Sequence, residues 1–454
     1  MNDLYNDIKI YSLFKYYLHD RDALQLFKTC KTQYKDITLY RYKNEVDYVS
    51  LSKYKKCIVT KVTSVNQLNN LSNSITHLTF DYYFNTPVEI SNLTNLLYLT
   101  FGDCFNQEID RNNLPNSITH LTFGSQFNQP LANLPKFVTH LKFDGDFNQT
   151  VDIINLPNTV THLTFGWGFN QNVDYLPDSI IYLVFGDRFD QPINNLPKSV
   201  TYLKFVCDFN QTVDNLPNSI THLIFGHWFN LPVNHLPNSI THLRFGSQFN
   251  QTIDPLPNSI VCLDFGYIFN QPVDKLPNSL VCLTFSDQYL YFAQFNQNID
   301  NLPKYLTCLI LGGGFNQPVD KLPNSLTHLT FGYKFNLPVD YLPKSIACLK
   351  FGYCFNQPVY YLPNSLVNLS FGCIFNQIVT RLPNSLTSLS FGREFNHPVD
   401  NLPNSIVNLE LRYGFTHPCD NLPTSLTRLM IGDKIIRGKN YKYPRFTCIC
   451  DKKF

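Results

Sequence analysis

The sequence predicts a repeat solenoid: about 18 stacked units of about 20 residues, each adding one short strand to a parallel sheet lining a horseshoe. Three observations point there. Leu-Pro pairs recur from Leu114 to Leu422 at a basic step of 20, and two degenerate units precede them at Leu71 and Leu93. Of 28 prolines, 16 stand in those pairs and ten in a recurring Phe-Asn-x-Pro step, in which Asp190 and Thr416 replace Asn before two of them, leaving only Pro255 and Pro444. Phe and Tyr are abundant, at 38 and 27, while Met and Trp are 2 each, a bias that a repeated unit explains and an ordinary multidomain chain does not.

The unit at 216–235 shows how the pattern dictates structure. Its apolar positions are Leu216, Ile220, Leu223, Phe225, Phe229 and Val233. Leu223 and Phe225 are two apart, as on one face of a strand, so the strand covers about 221–225. Gly226 follows where the chain turns back. Pro217 and Pro232 cannot donate to a central ladder and belong in the outer arc. A 20-residue unit has no room for a full helix on the return side, so that side is extended chain and turns, with space for a 3₁₀ turn. The Asn of Phe-Asn recurs from Asn85 to Asn396, with Asp190 and Thr416 substituting. Stacked one unit apart, these amides can satisfy backbone groups inside the solenoid. The Phe pairs are core. The periodic Asp (Asp214, Asp254, Asp274 and their equivalents) reads as a turn residue.

The side chains alternating away from the core make the concave face. Candidate partner-binding residues there are His120, His140, His162, Tyr182, Tyr202, Lys204, His222, His242, Arg244, Cys262, Asp264, Cys282 and Cys308. A His ladder at about 4.8 Å per strand has the chemistry of a metal site, but no carboxylate or thiol shares its rungs. Cys262, Cys282 and Cys308 on successive rungs have the chemistry of zinc binding or oxidation. The preferred expectation is a polar and aromatic protein-binding surface, with no cofactor and no metal. Six extra residues between Phe285 and Phe295 predict a bulge whose Tyr289, Tyr291 and Phe292 form a further partner-contact patch.

This repeat resembles the FNIP repeat, a short relative of the leucine-rich repeat named for its Phe-Asn-x-Pro step, over residues 71–432. The resemblance implies a leucine-rich-repeat-like parallel β-sheet. FNIP proteins are most familiar from social amoebae and giant viruses of amoebae, whose AT-rich genomes suit the Asn-, Ile-, Tyr- and Lys-rich composition.

No unit fits before Leu71. Residues 5–34 read as two or three short helices: Phe14, Tyr17 and Leu18 share a helical face, and Asp20 or Asp22 serves as N-cap to a stripe of Leu24, Phe27 and Cys30. With Asp7, Ile8, Lys31 and Tyr34, this segment resembles an F-box. It departs from that motif in lacking the opening Leu-Pro, replaced by Leu4-Tyr5-Asn6, and in having Tyr34 for the usual Trp. The resemblance implies a small α-helical domain over 1–45 that docks a Skp-type adaptor and cullin complex through Leu4, Ile8, Phe14, Leu18, Leu24, Phe27, Cys30 and Tyr34. Residues 46–70 would be a linker or N-terminal cap and 433–454 a basic C-terminal cap. The implied role is a substrate-recognition adaptor of an E3 ubiquitin ligase. The competing expectation is a ligase-independent scaffold whose N-terminal helices only cap the solenoid.

Charge and composition bound the alternatives. Residues 1–70 and 433–454 are each net +5, while 71–432 is net −8, a poor body for duplex nucleic acid. No apolar run approaches about 18 residues, so no membrane span is expected. The start carries no basic-then-apolar leader. The 13 cysteines follow the repeat without paired Cys-x-x-Cys. The sequons at Asn148, Asn210 and Asn250 fall on the Phe-Asn step, where burial would exclude a glycan. Together these predict a cytoplasmic monomer, in the host cytoplasm if viral, that is not an enzyme: no phosphate loop, nucleophile elbow or metal-ligand spacing is present.

Overall fold

The computed structural model describes residues 71, 73–109, 112–131, 134–285 and 293–437, together with the backbone of strands Arg41–Tyr42, Val46–Asp47, Ile58–Val59 and Lys61–Val65. The F-box-like helices predicted over 5–34 lie outside the described residues. The chain divides into two compact units, the first ending at Val200 and the second comprising Thr201 onward, with 192–194 grouped with the second. Among the described residues, the first carries six repeat strands, from His77–Phe80 to Tyr182–Phe185, and the second carries twelve, from Tyr202–Phe205 to Arg428–Ile431. Each unit is a parallel β-solenoid in the leucine-rich-repeat manner, as the 20-residue period predicts.

Registers are direct. His120 faces His140, Leu121 faces Leu141, and Phe123 faces Phe143. The strand alternation is visible in burial: in His120–Phe123 the two apolar side chains are buried and the two others half-buried. In most solenoid turns two Phe rings stack on one another, 3.7 Å apart for Phe245 and Phe249; Leu311 and Leu411 replace the first ring in their turns. Each also stacks on its equivalents one turn away, Phe249 at 6.1 Å from both Phe229 and Phe269. Phe249 is fully buried.

The polar positions are as periodic as the apolar ones. The Oδ1 of Asn230 accepts the backbone N–H of Asn250 at 2.9 Å, and Asn250 does the same for Asn270. Where a Gln follows the Asn, its Nε2 often donates to the same oxygen, as Gln251 does to Asn230 at 3.2 Å. The Leu-Pro-Asn-Ser segment forms a turn closed by the carbonyl of Pro217 accepting from Ile220 N–H at 3.2 Å. It is a turn and not a 3₁₀ helix. The Ser of this segment reaches back one turn: Ser239 Oγ donates to the carbonyl of Ile220 at 2.7 Å. The outer-turn Asp column is likewise laced, with Lys321 Nζ 2.9 Å from Asp300 Oδ2 and Lys275 paired with Asp254.

One expectation, that of buried sequons, is corrected. Glycine at the turn answers close approach: a Cβ on Gly226 would lie 2.8 Å from Cys207 N, and one on Gly246 would overlap the carbonyl oxygen of Gly226. Among the described glycines only Gly432 has a positive φ, 61°. The sheet begins before Leu71: Val46–Asp47 pairs with Lys61–Val65, which pairs with His77–Phe80, all parallel. The spine Asn residues are half-buried or exposed, Asn210 being exposed, so burial does not exclude glycans at the sequons.

The insertion after Phe285 leaves the core unbroken. Phe285 and Phe295 stack at 3.6 Å, and Asn296 N–H reaches Asn270 Oδ1 at 2.9 Å. At the other end, Gly432 turns the chain into Lys434–Arg437, which pairs antiparallel with Arg428–Ile431 and covers the last parallel edge. The rest of the predicted cap, 438–454, lies outside the described residues.

Replacing Phe249 by Ala is expected to cost about 3–5 kcal/mol. Replacing Asn250 by Ala, which leaves the Asn270 N–H without its acceptor, is expected to cost about 1–3 kcal/mol. Chemical denaturation of each variant against the parent checks both, and a smaller loss for Phe249→Ala than for Asn250→Ala would reverse the ranking of ring column over amide spine.

Candidate protein-binding face

The sheet face opposite the Leu and Phe core carries the candidate residues in two columns. The first runs through the strand's opening residue, the second through the residue two further on. In the first unit the opening column is a continuous ring stack: His77, Tyr98, His120, His140 and His162 at 4.1–4.2 Å centroid spacing, then Tyr182 at 5.4 Å. His120, His140, His162 and Tyr182 are half-buried there. In the second unit Tyr202, His222 and His242 stack at 5.9 and 4.3 Å.

A threonine precedes each of these histidines, and it builds the imidazole's setting. Thr139 Oγ1 lies 2.9 Å from His140 Nδ1 and 3.1 Å from the carbonyl oxygen of Thr119, one turn back. The pattern repeats at Thr119 with His120 and at Thr161 with His162. One proton arrangement makes both contacts hydrogen bonds: Nδ1–H donates to the hydroxyl, and the hydroxyl donates to the carbonyl. Each such imidazole is thereby oriented with Nε2 as an acceptor at the face. The Thr column was absent from the sequence reading, although Thr-His pairs repeat visibly at 119–120, 139–140 and 161–162.

Burial within the stack pushes the His140 pKa down to about 4, helped by the charges its neighbours His120 and His162 would carry. Burial also lowers His120, His162 and His328. These rings are neutral near pH 7.

Four residues of the outward column do not meet solvent. His242, Cys262, Cys282 and Cys308 are buried, at 4–8% exposure. The three cysteines face one another in direct register and pack with Val261, Val281 and Ile310. Cys282 is disulfide-bonded, while Cys262 and Cys308 remain thiols. Asp264 is half-buried and pairs with the exposed Arg244 at 3.2 Å, while Lys204 is half-buried. Among the described residues no group of three or more His, Cys, Asp or Glu is arranged to hold a metal ion. No helix among them is long and apolar enough to cross a membrane. Tyr289, Tyr291 and Phe292 of the insertion lie outside the described residues, as do Leu4, Ile8, Phe14, Leu18, Leu24, Phe27, Cys30 and Tyr34.

The depressed imidazole pKa sets a pH dependence. The unfolded chain takes up protons near 6.5 and the folded His140 only near 4, so its contribution to stability is full above about 6.5 and is lost as pH falls toward 4. The melting midpoint is expected to drop over that window, and His140→Phe, which keeps a ring in the stack, should flatten the drop. Parallel thermal melts at pH 7.5, 6, 5 and 4 check this; identical slopes for parent and variant would show that His140 is not proton-linked.

Comparison with known proteins agrees with this architecture. The FNIP Repeat matches in ten tandem, partly overlapping segments from 94–126 to 375–414, leaving only 168, 289–294 and 374 unmatched between those ends. No curated protein matches the chain. The crystal structure of CroV588, described as a circular leucine-rich-repeat protein, is 41% identical with a TM-score of 0.71; the match covers 82% of this chain and 66%, less than two thirds, of that one. The Toll–Spätzle complex of Drosophila supplies a match at 12% identity and TM-score 0.55, covering 90% of this chain and 61% of that one, a likeness of fold alone. With the repeat pattern running through most of its length, the chain belongs to the FNIP repeat family.

Proposed function

We propose that this protein binds a protein partner on the outward sheet face and, through its N-terminal segment, serves as a substrate-recognition adaptor of a Skp/cullin/F-box ubiquitin ligase. The observation that carries the binding reading is the contrast between columns. Leu, Phe, Asn and Ser repeat almost without change, whereas the second outward column changes from rung to rung, Thr122, Lys142, Thr164 and Val184 in the first unit, and the opening column drifts along the chain from His to Tyr to His to Cys. A surface freed from the repeat's structural demands and laid on a rigid sheet is suited to partner recognition. The ligase role is supported by the F-box resemblance of residues 1–45. Its mechanism is proximity: the protein supplies no catalytic group and raises the local concentration of its target beside the charged conjugating enzyme.

A second reading is favoured by one finding. Parallel strands Val46–Asp47 and Lys61–Val65 extend the first unit's sheet upstream of the repeats, so the N-terminal region contributes to covering that edge. In this reading the protein is a scaffold that acts without a ligase.

The full-length chain is expected to co-precipitate purified Skp-type adaptor, and Leu18→Glu with Leu24→Glu should reduce recovery at least tenfold while thermal stability of the repeats stays unchanged. Recovery of no adaptor by the parent chain would leave the scaffold reading.

A further inference from the structure

The first unit's binding face has a definite chemistry. Its repeat portion, residues 71–191 and 195–200, holds 12 acidic and 5 basic side chains, so nearly all of the solenoid's net −8 resides there. Several of those carboxylates follow the strands within three residues, at Asp81, Asp103, Asp144, Asp146 and Asp187. Beside them runs the row of His120, His140 and His162. With each threonine hydroxyl donating to the carbonyl one turn back, the assignment that satisfies both contacts has Nδ1–H donating to the hydroxyl and leaves Nε2 as an acceptor. The cation on this stretch of the face, Lys142, is paired with Asp144 at 2.7 Å. A surface that offers acceptors and a negative field, and whose own cation is engaged, complements donors carrying positive charge.

We infer that the first unit's outward sheet face, over His120, His140 and His162, docks an extended segment of a protein partner bearing arginine or lysine side chains. This rests on the partner-binding reading above and names the partner's chemistry. Rings stacked 4.1 Å apart present their Nε2 atoms in a row along the stack, so a strand-like segment crossing the rungs can place a guanidinium or ammonium on more than one of them. The threonine relay is a specificity device: it holds each ring as an acceptor, and without it the imidazole is free to turn a donor outward and repel the same cation. Protonation has the same consequence. Charge on His120, His140 or His162 would stand beside the other two rings and Lys142, with Asp144 already paired, and would remove the acceptors one by one.

A random 12-residue peptide library displayed on phage, selected on the full-length protein at pH 7.5 and counter-selected on His120→Leu/His140→Leu/His162→Leu, tests this. The expected result is enrichment of arginine and lysine over aspartate and glutamate among retained peptides. Synthetic copies should lose at least tenfold in affinity on the triple variant. Thr119→Val/Thr139→Val/Thr161→Val, which keeps every imidazole, should weaken the same peptides, and Ser at those positions should restore them. Retained peptides that are acidic or lack basic residues would overturn the inference while leaving partner binding at this face standing. If no retained peptide depends on the face, both fall.

Discussion

The bond from an Asn side chain to the backbone N–H one turn away is the interaction around which the rest is arranged. It is a hydrogen bond between equivalent positions, so it recurs along the column wherever Asn holds the position, without needing a second residue type. It also fixes the spacing of the turns at the point where the chain leaves the Phe pair. Loop length is free elsewhere. The bond measures 2.8–2.9 Å whether the step is 20 residues, as from Asn230 to Asn250, 22 as from Asn148 to Asn170, or 26 as from Asn270 to Asn296. The insertion after Phe285 is therefore absorbed outside the spine. Where Thr416 replaces Asn, its backbone N–H and hydroxyl still use Asn396 Oδ1, at 2.9 and 3.0 Å. The column can accept a substitute as donor even where it loses an acceptor.

The solenoid was legible because its demands repeat. Leu223 and Phe225 two apart, Pro217 in a turn and Asn230 at one step per unit each state a structural requirement many times over, so a single reading carries to every turn. Less legible were requirements that arise between turns. Gly246 looks like a turn residue in its own unit; only the carbonyl of Gly226, one turn back, shows that a Cβ has no room. Ser239 and Thr139 look like surface hydroxyls until the carbonyls of Ile220 and Thr119 are placed beside them. The upstream strand Lys61–Val65 lacks the Leu-Pro and Phe-Asn signatures and so escaped the period, although its Val62 meets Leu78 in register.

The candidate face was legible in position more than in exposure. Alternation places His242, Cys262, Cys282 and Cys308 on the outward side, and the register agrees. Whether an outward residue meets solvent depends on the size and polarity of its neighbours along the column. The cysteine stretch with its flanking valines is buried, as is the neighbouring His242, while His120, His140 and His162 stay half-buried. The same sheet thus offers a dry stretch and a polar one, and the polar one carries the recognition chemistry.

The central claim is that the repeated columns build the solenoid and the unrepeated sheet face does the binding. A photo-crosslinking amino acid placed singly at Thr122, on the face, and at Tyr175, 70% exposed on the outer turn, tests it most directly in the full-length protein. The account predicts a discrete crosslinked partner from position 122 and none from 175. The same partner captured from 175 and not from 122 would contradict it.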